Sequence, residues 1–178
     1  PQVSIKVTVW DGAGNLVFDT SDAYFMVDNS VPSLTNVTID SDNAANDGAN
    51  EIAKVGDTVT LNFTASEGIG TPTVTFMVGG ANPANSVAVN GSGNTWGATL
   101  VLDNADTEGL VTFTIDFADL SGNAGTQVIS VTDGTSVTFD KTAPTVVLTS
   151  PNGGETWSGT QNITWTTTDG PPGTATLE

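Results

Sequence analysis

The chain has 178 residues, of which 20 are Asp or Glu and three are Lys, so its formal net charge is -17. Three Lys and no Arg cannot neutralise a nucleic-acid phosphate backbone, and an anionic membrane surface would repel the chain. Cys and His are absent, which excludes disulfides, thiolate metal sites and the usual histidine base of catalysis. No apolar run reaches the length of a membrane span, so no membrane insertion is expected within this segment.

Residues 1–33 contain two predicted strands separated by a glycine-rich turn. Apolar residues alternate with polar ones over residues 3–9, and an apolar run occupies residues 24–27. The turn at 12–15 has the composition of a strand boundary. Because a two-stranded hairpin is marginal in water, this part of the chain needs a partner to cover its apolar face.

Residues 34–144 contain the longest series of predicted strands. Period-two alternation recurs there, as in Val59, Leu61 and Phe63, and helical periodicity is almost absent. Clusters of Gly, Pro, Asn or Asp separate the runs. About seven strands within roughly a hundred residues is typical of an immunoglobulin-like β-sandwich. The sequence therefore predicts an all-β protein with one complete sandwich at its centre.

Residues 145–178 contain two further predicted strands and resemble the N-terminal part of a module. We therefore divide the chain into the C-terminal strands of a preceding module (1–33), a complete sandwich (34–144) and the N-terminal strands of a following module (145–178). The two flanks either belong to neighbouring modules or complete one another. Such pairing could occur within one chain or between successive chains.

Two short motifs, called here the repeated phrases, each recur once in the sequence in a related form. Residues 9–15 (VWDGAGN) return as residues 117–123 (FADLSGN), and residues 27–32 (VDNSVP) return as residues 139–144 (FDKTAP). Each pair is separated by roughly 110 residues, a period that indicates tandem modules. The second member of each pair closes the central sandwich, which makes 28–32 and 140–144 the predicted junctions.

Several motifs resemble bacterial and archaeal cell-surface Ig-like repeats over residues 34–144. They are AKVGDTVTLNFTASE at 53–67, EGLVTF at 108–113 and the repeated phrases at 119–123 and 139–144. The segment SPNGGETW at 150–157, with ITW at 163–165, is similar to a second repeat type of cell-wall proteins, and residues 5–28 look like the end of that type. The resemblance implies an extracellular, cell-surface protein of the adhesin or envelope kind. Its partners would be neighbouring Ig-like modules or copies of itself.

Calcium is the one cofactor for which the sequence offers candidate ligands. Ca²⁺ takes carboxylate and carbonyl oxygens, and acidic or amide side chains recur at the repeated turns and junctions. The candidates are Asp11, Asn15, Asp28, Asp119, Asn123 and Asp140. The alternative is an Asx turn, in which the aspartate caps its own turn and binds no ion.

The predicted function is a non-enzymatic spacer or scaffold segment of a cell-surface adhesion protein. A Ser or Thr nucleophile would lack an adjacent His or Cys, so an enzyme is not expected. One alternative is a subunit of a self-assembling extracellular filament or surface layer, joined by strand complementation. Another is a carbohydrate-binding accessory module in which Trp10 or Trp157 stacks on cell-surface glycans. Packing in a core or an interface is the competing expectation for these two and for Trp96 and Trp165.

Overall fold

The computed structural model describes residues 1–45 and 48–169, and every helix or strand element in those ranges is a β-strand. The predicted all-β class is therefore confirmed. The chain separates into two compact units, residues 1–139 and 140–178. Residues 46–47, in the acidic, Asn-rich loop that the sequence predicts at 40–50, and residues 170–178 of the predicted third segment lie outside the described residues.

The N-terminal part of the first unit consists of two small antiparallel pairs. β2 (Lys6–Trp10) pairs with β3 (Leu16–Thr20), and β1 (Gln2–Val3) pairs with β4 (Phe25–Met26). The prediction placed the second strand at 24–27. The longer partner of β2 is β3, because the turn at 11–15 closes the hairpin directly.

Eight strands of the first unit form two four-stranded sheets. One has the order β5 (Leu34–Ser41), β7 (Thr58–Ala65), β10 (Thr95–Val101) and β9 (Ala88–Ser92), with every neighbouring pair antiparallel. The other has the order β6 (Asn50–Ala53), β12 (Ser136–Phe139), β11 (Gly109–Asp116) and β8 (Thr73–Val78). In it, β6 runs parallel to β12 and the remaining pairs are antiparallel.

The two sheets share one apolar core, because each strand turns alternate residues inward. On β7, Val59, Leu61 and Phe63 are buried, and the residues between them are not. Phe76 and Ile115 bury their side chains from the opposite sheet. The alternation read from the sequence thus places the core correctly.

The four tryptophans fall in different surroundings. Trp96 joins the core and satisfies its indole N–H on the main-chain oxygen of Gly93 at 3.1 Å, which confirms the packing prediction. Trp165 is half-buried on β14. Trp10 is 64% exposed and Trp157 is 40% exposed, so neither belongs to a core formed by the described residues.

The second unit contains one antiparallel pair, β13 (Thr145–Ser150) and β14 (Thr164–Thr168), as predicted for this flank. Leu148 lies opposite Trp165 in the register. Val146, Val147 and Leu148 are all exposed. Across residues 1–45 and 48–169, no helix has the length and apolar character that crossing a membrane requires.

Candidate functional site

The first repeated phrase forms the same hydrogen-bonded turn in both places. The Asn15 main-chain N–H donates to Asp11 Oδ1 at 2.8 Å and its side chain donates to Asp11 Oδ2 at 2.6 Å. The corresponding distances from Asn123 to Asp119 are 2.8 and 2.7 Å. Both aspartates therefore cap their own turns as in an Asx turn, which accounts for them without a metal ion but leaves part of each carboxylate's acceptor capacity unused.

The same turns require a glycine at their fourth position. Gly14 has φ 87° and Gly122 has φ 95°, a backbone region that residues with a Cβ adopt only at a cost. The main-chain N–H of each glycine donates to the carbonyl of the aspartate that opens the turn. The repeated Asp, Gly and Asn are thus explained by local backbone geometry.

The second repeated phrase also forms equivalent turns. Ser30 N donates to Asp28 Oδ1 at 2.9 Å, and Thr142 N donates to Asp140 Oδ1 at 2.9 Å. Each turn lies two to four residues before a proline, at the predicted junction. The two predicted junctions share both their sequence pattern and their local hydrogen bond.

A cluster of three carboxylates forms beside the first predicted junction. One oxygen each of Asp28, Glu67 and Asp119 lies within 4.8 Å of the other two. Glu67 follows β7. Its segment is held beside the chain after β11, because Ile69 is buried and forms a β-bridge with Asp119. Asp119 itself follows β11 and is buried, whereas Asp28 is exposed. We call Asp28, Glu67 and Asp119 the junction cluster.

Hydrogen bonds connect residues 28–33 to the sandwich around this cluster. Asn123 Nδ2 donates to the main-chain oxygen of Asp28 at 3.2 Å, and Ser121 Oγ donates to Asp28 Oδ2 at 3.3 Å. On the other side, Ser33 N donates to Ser66 Oγ at 3.0 Å. The segment after β4 is therefore attached at both the 119–123 turn and the end of β7.

The carboxyl groups of the junction cluster differ in their electrostatics. The pKa of Glu67 is raised by partial loss of solvent and then by the negative charges of Asp28 and Asp119. The pKa of Asp119 is lowered, chiefly because the Asn123 side chain donates to its carboxylate, and this outweighs the effect of burial. At neutral pH the cluster therefore brings negative charges close together. The ionised form of Glu67 is destabilised both by desolvation and by the charges of Asp28 and Asp119.

The junction cluster suits a hard cation better than a transition metal. Ca²⁺ takes six to eight oxygen ligands, and the cluster supplies three carboxylates with the Ser121 hydroxyl nearby. Any ion there would need further oxygens from water. Asn123 contributes its Nδ2 to Asp119 and Asp28, so in this arrangement it acts as a hydrogen-bond donor to the cluster.

The structure brings together three of the six predicted calcium ligands: Asp28, Asp119 and Asn123. Asp11 and Asn15 form their own exposed turn between β2 and β3, and Asp140 belongs to the second unit. Glu67 was not predicted. Glu67 follows β7 and belongs to no turn motif that could have marked it as a ligand. It lies near Asp119 because the chain after β7 packs against the chain after β11.

No protein-family model matches this chain, and no curated protein sequence matches it either.

Proposed function

We propose that this chain is a non-enzymatic, extracellular segment of a cell-surface protein, in which Ig-like modules follow one another as a spacer or adhesion scaffold. The observation that carries the proposal is the repetition of two hydrogen-bonded turns, at 11–15 with 119–123 and at 28–30 with 140–142. Equivalent turns in the same order at a period of roughly 110 residues are typical of tandem modules. Two four-stranded sheets packed around one apolar core support a β-sandwich arrangement of the Ig-like kind.

The contacts of Asp28 support a mechanical role for the first junction. Asn123 and Ser121 hold Asp28 against the turn that closes the sandwich. An array keeps its reach only if its junctions resist bending, and a junction tied by side-chain hydrogen bonds bends less than a free linker. We propose calcium at the junction cluster as the ion that would strengthen this connection, since its two positive charges would offset most of the negative charge of three adjacent carboxylates.

Surface exposure is the direct test of localisation. Brief protease treatment of intact cells of the source organism should release peptides of this sequence into the medium. Lysed cells treated in the same way provide the total amount, and a cytoplasmic protein serves as the leakage control. Peptides that appear only after lysis would contradict the proposal.

A second candidate function, the self-assembling filament or surface layer, is favoured by the exposed apolar side chains of the flanks. Val9, Val17 and Phe18 are more than half exposed on β2 and β3, and Val146 is 70% exposed on β13. Each of these strands has a hydrogen-bonded partner on one side, and edge strands with such side chains are sites of strand addition. Sedimentation of the chain at increasing concentration tests this candidate: open-ended growth that Phe18→Lys abolishes supports it, and a monomer at every concentration rejects it.

The exposure of Trp10 is the observation that favours the carbohydrate-binding alternative. An indole that is 64% exposed could stack on a sugar ring or pack against a neighbouring strand. Binding to an immobilised polysaccharide that Trp10→Ala removes, and that Trp96→Phe retains, would support glycan recognition. If no polysaccharide is bound, Trp10 is better explained by packing against a neighbouring module.

A further inference from the structure

The hairpin of β2 and β3 has the same register as a hairpin of the central sandwich. Trp10 lies opposite Leu16, and Ala118, which occupies the same place in the second copy of the repeated phrase, lies opposite Ala124. In both turns, the aspartate donates its main-chain N–H to the carbonyl oxygen of the asparagine at 3.0 Å. The β2–β3 hairpin is therefore equivalent to the chain that runs from β11 through the 119–123 turn.

Equivalent side chains of these two hairpins differ in exposure. Val7 and Val9 occupy the positions that Ile115 and Phe117 occupy in the sandwich. Ile115 and Phe117 are buried in the core, whereas Val7 and Val9 are each more than half exposed. Val17 lies opposite Val9 in the register and shares its face. We call Val7, Val9 and Val17 the acceptor face, since its equivalent in the sandwich is covered by the opposite sheet.

The β13–β14 hairpin has the features of the strands that begin the sandwich. β13 follows the second predicted junction as β5 follows the first, and each pairs antiparallel with a later strand. Leu148 lies opposite Trp165, as Ile39 lies opposite Leu61 in the sandwich. Ile39 and Leu61 are buried, whereas Leu148 is 45% exposed. Val146, two positions before Leu148, shares its face, and we call Val146, Leu148 and Trp165 the donor face.

The acceptor and donor faces are complementary in position and in chemistry. In the central sandwich, the equivalents of both faces lie on opposite sheets and belong to one apolar core. β13 and β14 contain no charged residue, so covering them buries no charge from their own strands. On the acceptor hairpin, Asp19 lies opposite Val7, toward the end away from the turn. The apolar contact is therefore centred on Val9 and Val17, nearer the turn.

The path of the chain through the central sandwich favours a second copy as the source of the donor face. The chain enters beside Ala65, at the end of β7. It leaves at Phe139, beside Ala53, from which a short turn leads into the start of β7. The two ends of this eight-residue strand are about 23 Å apart. Residues 140–144, which connect Phe139 with β13, span at most about 21 Å, too little to return along the sandwich to the entry end.

We infer that the donor face of one copy of this chain packs on the acceptor face of a second copy, so that two incomplete modules share one apolar core. This contact depends on the tandem-module function proposed above, because the hairpins are equivalent to parts of a sandwich only if the repeated phrases mark module ends. Sheets meet face to face in it, whereas strand addition joins their edges. Because the two faces differ, the contact is heterologous, and copies add head to tail.

A pair of variants of the purified chain tests the contact. Val9→Asp places a charge on the acceptor face, and Leu148→Asp places one on the donor face. In sedimentation equilibrium, the mass of the wild type should rise with concentration, and each variant alone should remain a monomer. A mixture of the two variants should form a dimer that does not grow further. In that dimer the intact donor face of Val9→Asp meets the intact acceptor face of Leu148→Asp.

Matched controls carry the same new charge on the opposite face of each hairpin. Thr20 lies opposite Lys6, and Thr166 lies opposite Val147, so Thr20→Asp and Thr166→Asp should associate as the wild type does. An unchanged Tm of all four variants shows that the central sandwich is folded.

Three results would overturn the contact: a wild type that is monomeric at every concentration, a variant mixture that stays monomeric, or controls that also lose association. A monomeric wild type whose peptides are nevertheless released by protease from intact cells would reject the contact and leave the proposed function standing. Association of the purified chain without such release would reject the proposed location instead.

Discussion

The side-chain amide of Asn123 donates a hydrogen bond to the main-chain oxygen of Asp28 at 3.2 Å, although 95 positions separate the two residues in the chain. Asn123 makes this contact while it also completes its own turn through Asp119. One side chain thus closes a local turn and fixes a distant junction. The turn at Asp11 has the same local hydrogen bonds. Because the 119–123 turn also contacts Asp28, substitutions in the two turns distinguish local stabilisation from long-range stabilisation.

Replacing Asp119 should destabilise the sandwich, whereas replacing Asp11 should not. Asp119→Ala removes a buried carboxylate that accepts from two main-chain N–H groups and the Asn123 side chain. We expect the Tm to fall by roughly 4 °C or more. Asp11→Ala, which removes the equivalent bonds from an exposed turn, is the matched control. Equal Tm values for the two variants in calorimetry would contradict this assignment.

The stability that Asp119 contributes should disappear in acid. Its pKa is lower in the folded state than the ordinary value of 3.8, mainly because the Asn123 side chain donates to the ionised form. A depressed pKa stabilises the folded state above the unfolded pKa, and the contribution is lost as the pH falls through the folded value. The Tm difference between wild type and Asp119→Ala should therefore narrow below pH 3.8. A constant difference from pH 6 to pH 2 would show that ionisation of Asp119 plays no part.

Calcium should stabilise the wild-type chain through Glu67. Saturating Ca²⁺ is expected to raise the Tm by about 5 °C relative to chelator, since a ligand that binds only the folded state shifts the equilibrium by mass action. Glu67→Gln should abolish this response. Glu108→Gln should keep it, which separates a site from general screening of a chain with net charge -17. No calcium-dependent shift in the wild type would remove the metal assignment and leave the module proposal standing.

In chelator, Glu67→Gln should instead raise stability at neutral pH. The pKa of Glu67 is raised by desolvation and by the charges of Asp28 and Asp119, so the ionised side chain costs free energy in the folded state. That cost grows as the pH rises from the ordinary value of 4.5 through the raised one. In urea unfolding from pH 4 to pH 8, the free energy of unfolding of the variant should increase relative to that of the wild type.

The central sandwich should be sensitive to core truncation in a way that the flanking hairpin is not. Leu61 is fully buried between the sheets, and Leu61→Ala should cost about 2–5 kcal/mol of unfolding free energy. Val17 lies on β3 and is 66% exposed, and Val17→Ala should change stability by less than about 0.5 kcal/mol in the monomer. Denaturant unfolding measures both. A large effect of Val17→Ala would mean that a partner covers the hairpin.

The sequence by itself determined the class of fold and the positions of the core strands. Alternation places every second side chain of a strand on one face, so Val59, Leu61 and Phe63 were correctly expected to lie inward. The turns at 11–15 and 119–123 were also readable, because an Asx turn depends on the aspartate and the two to four residues after it.

Only the tertiary structure decided which of these local features meet. Glu67 joins Asp28 and Asp119 because the chain after β7 forms a β-bridge, at Ile69, with the chain after β11, and nothing in the spacing of these residues specifies that contact. Likewise Glu51 reads as one more surface carboxylate of an acidic chain until β6 buries it and brings its carboxyl group to Ser41 N. Periodicity reports which face a side chain occupies, because it depends on neighbours along the chain. The charge environment of a carboxylate depends on neighbours across the sheets, which the sequence of one strand does not encode.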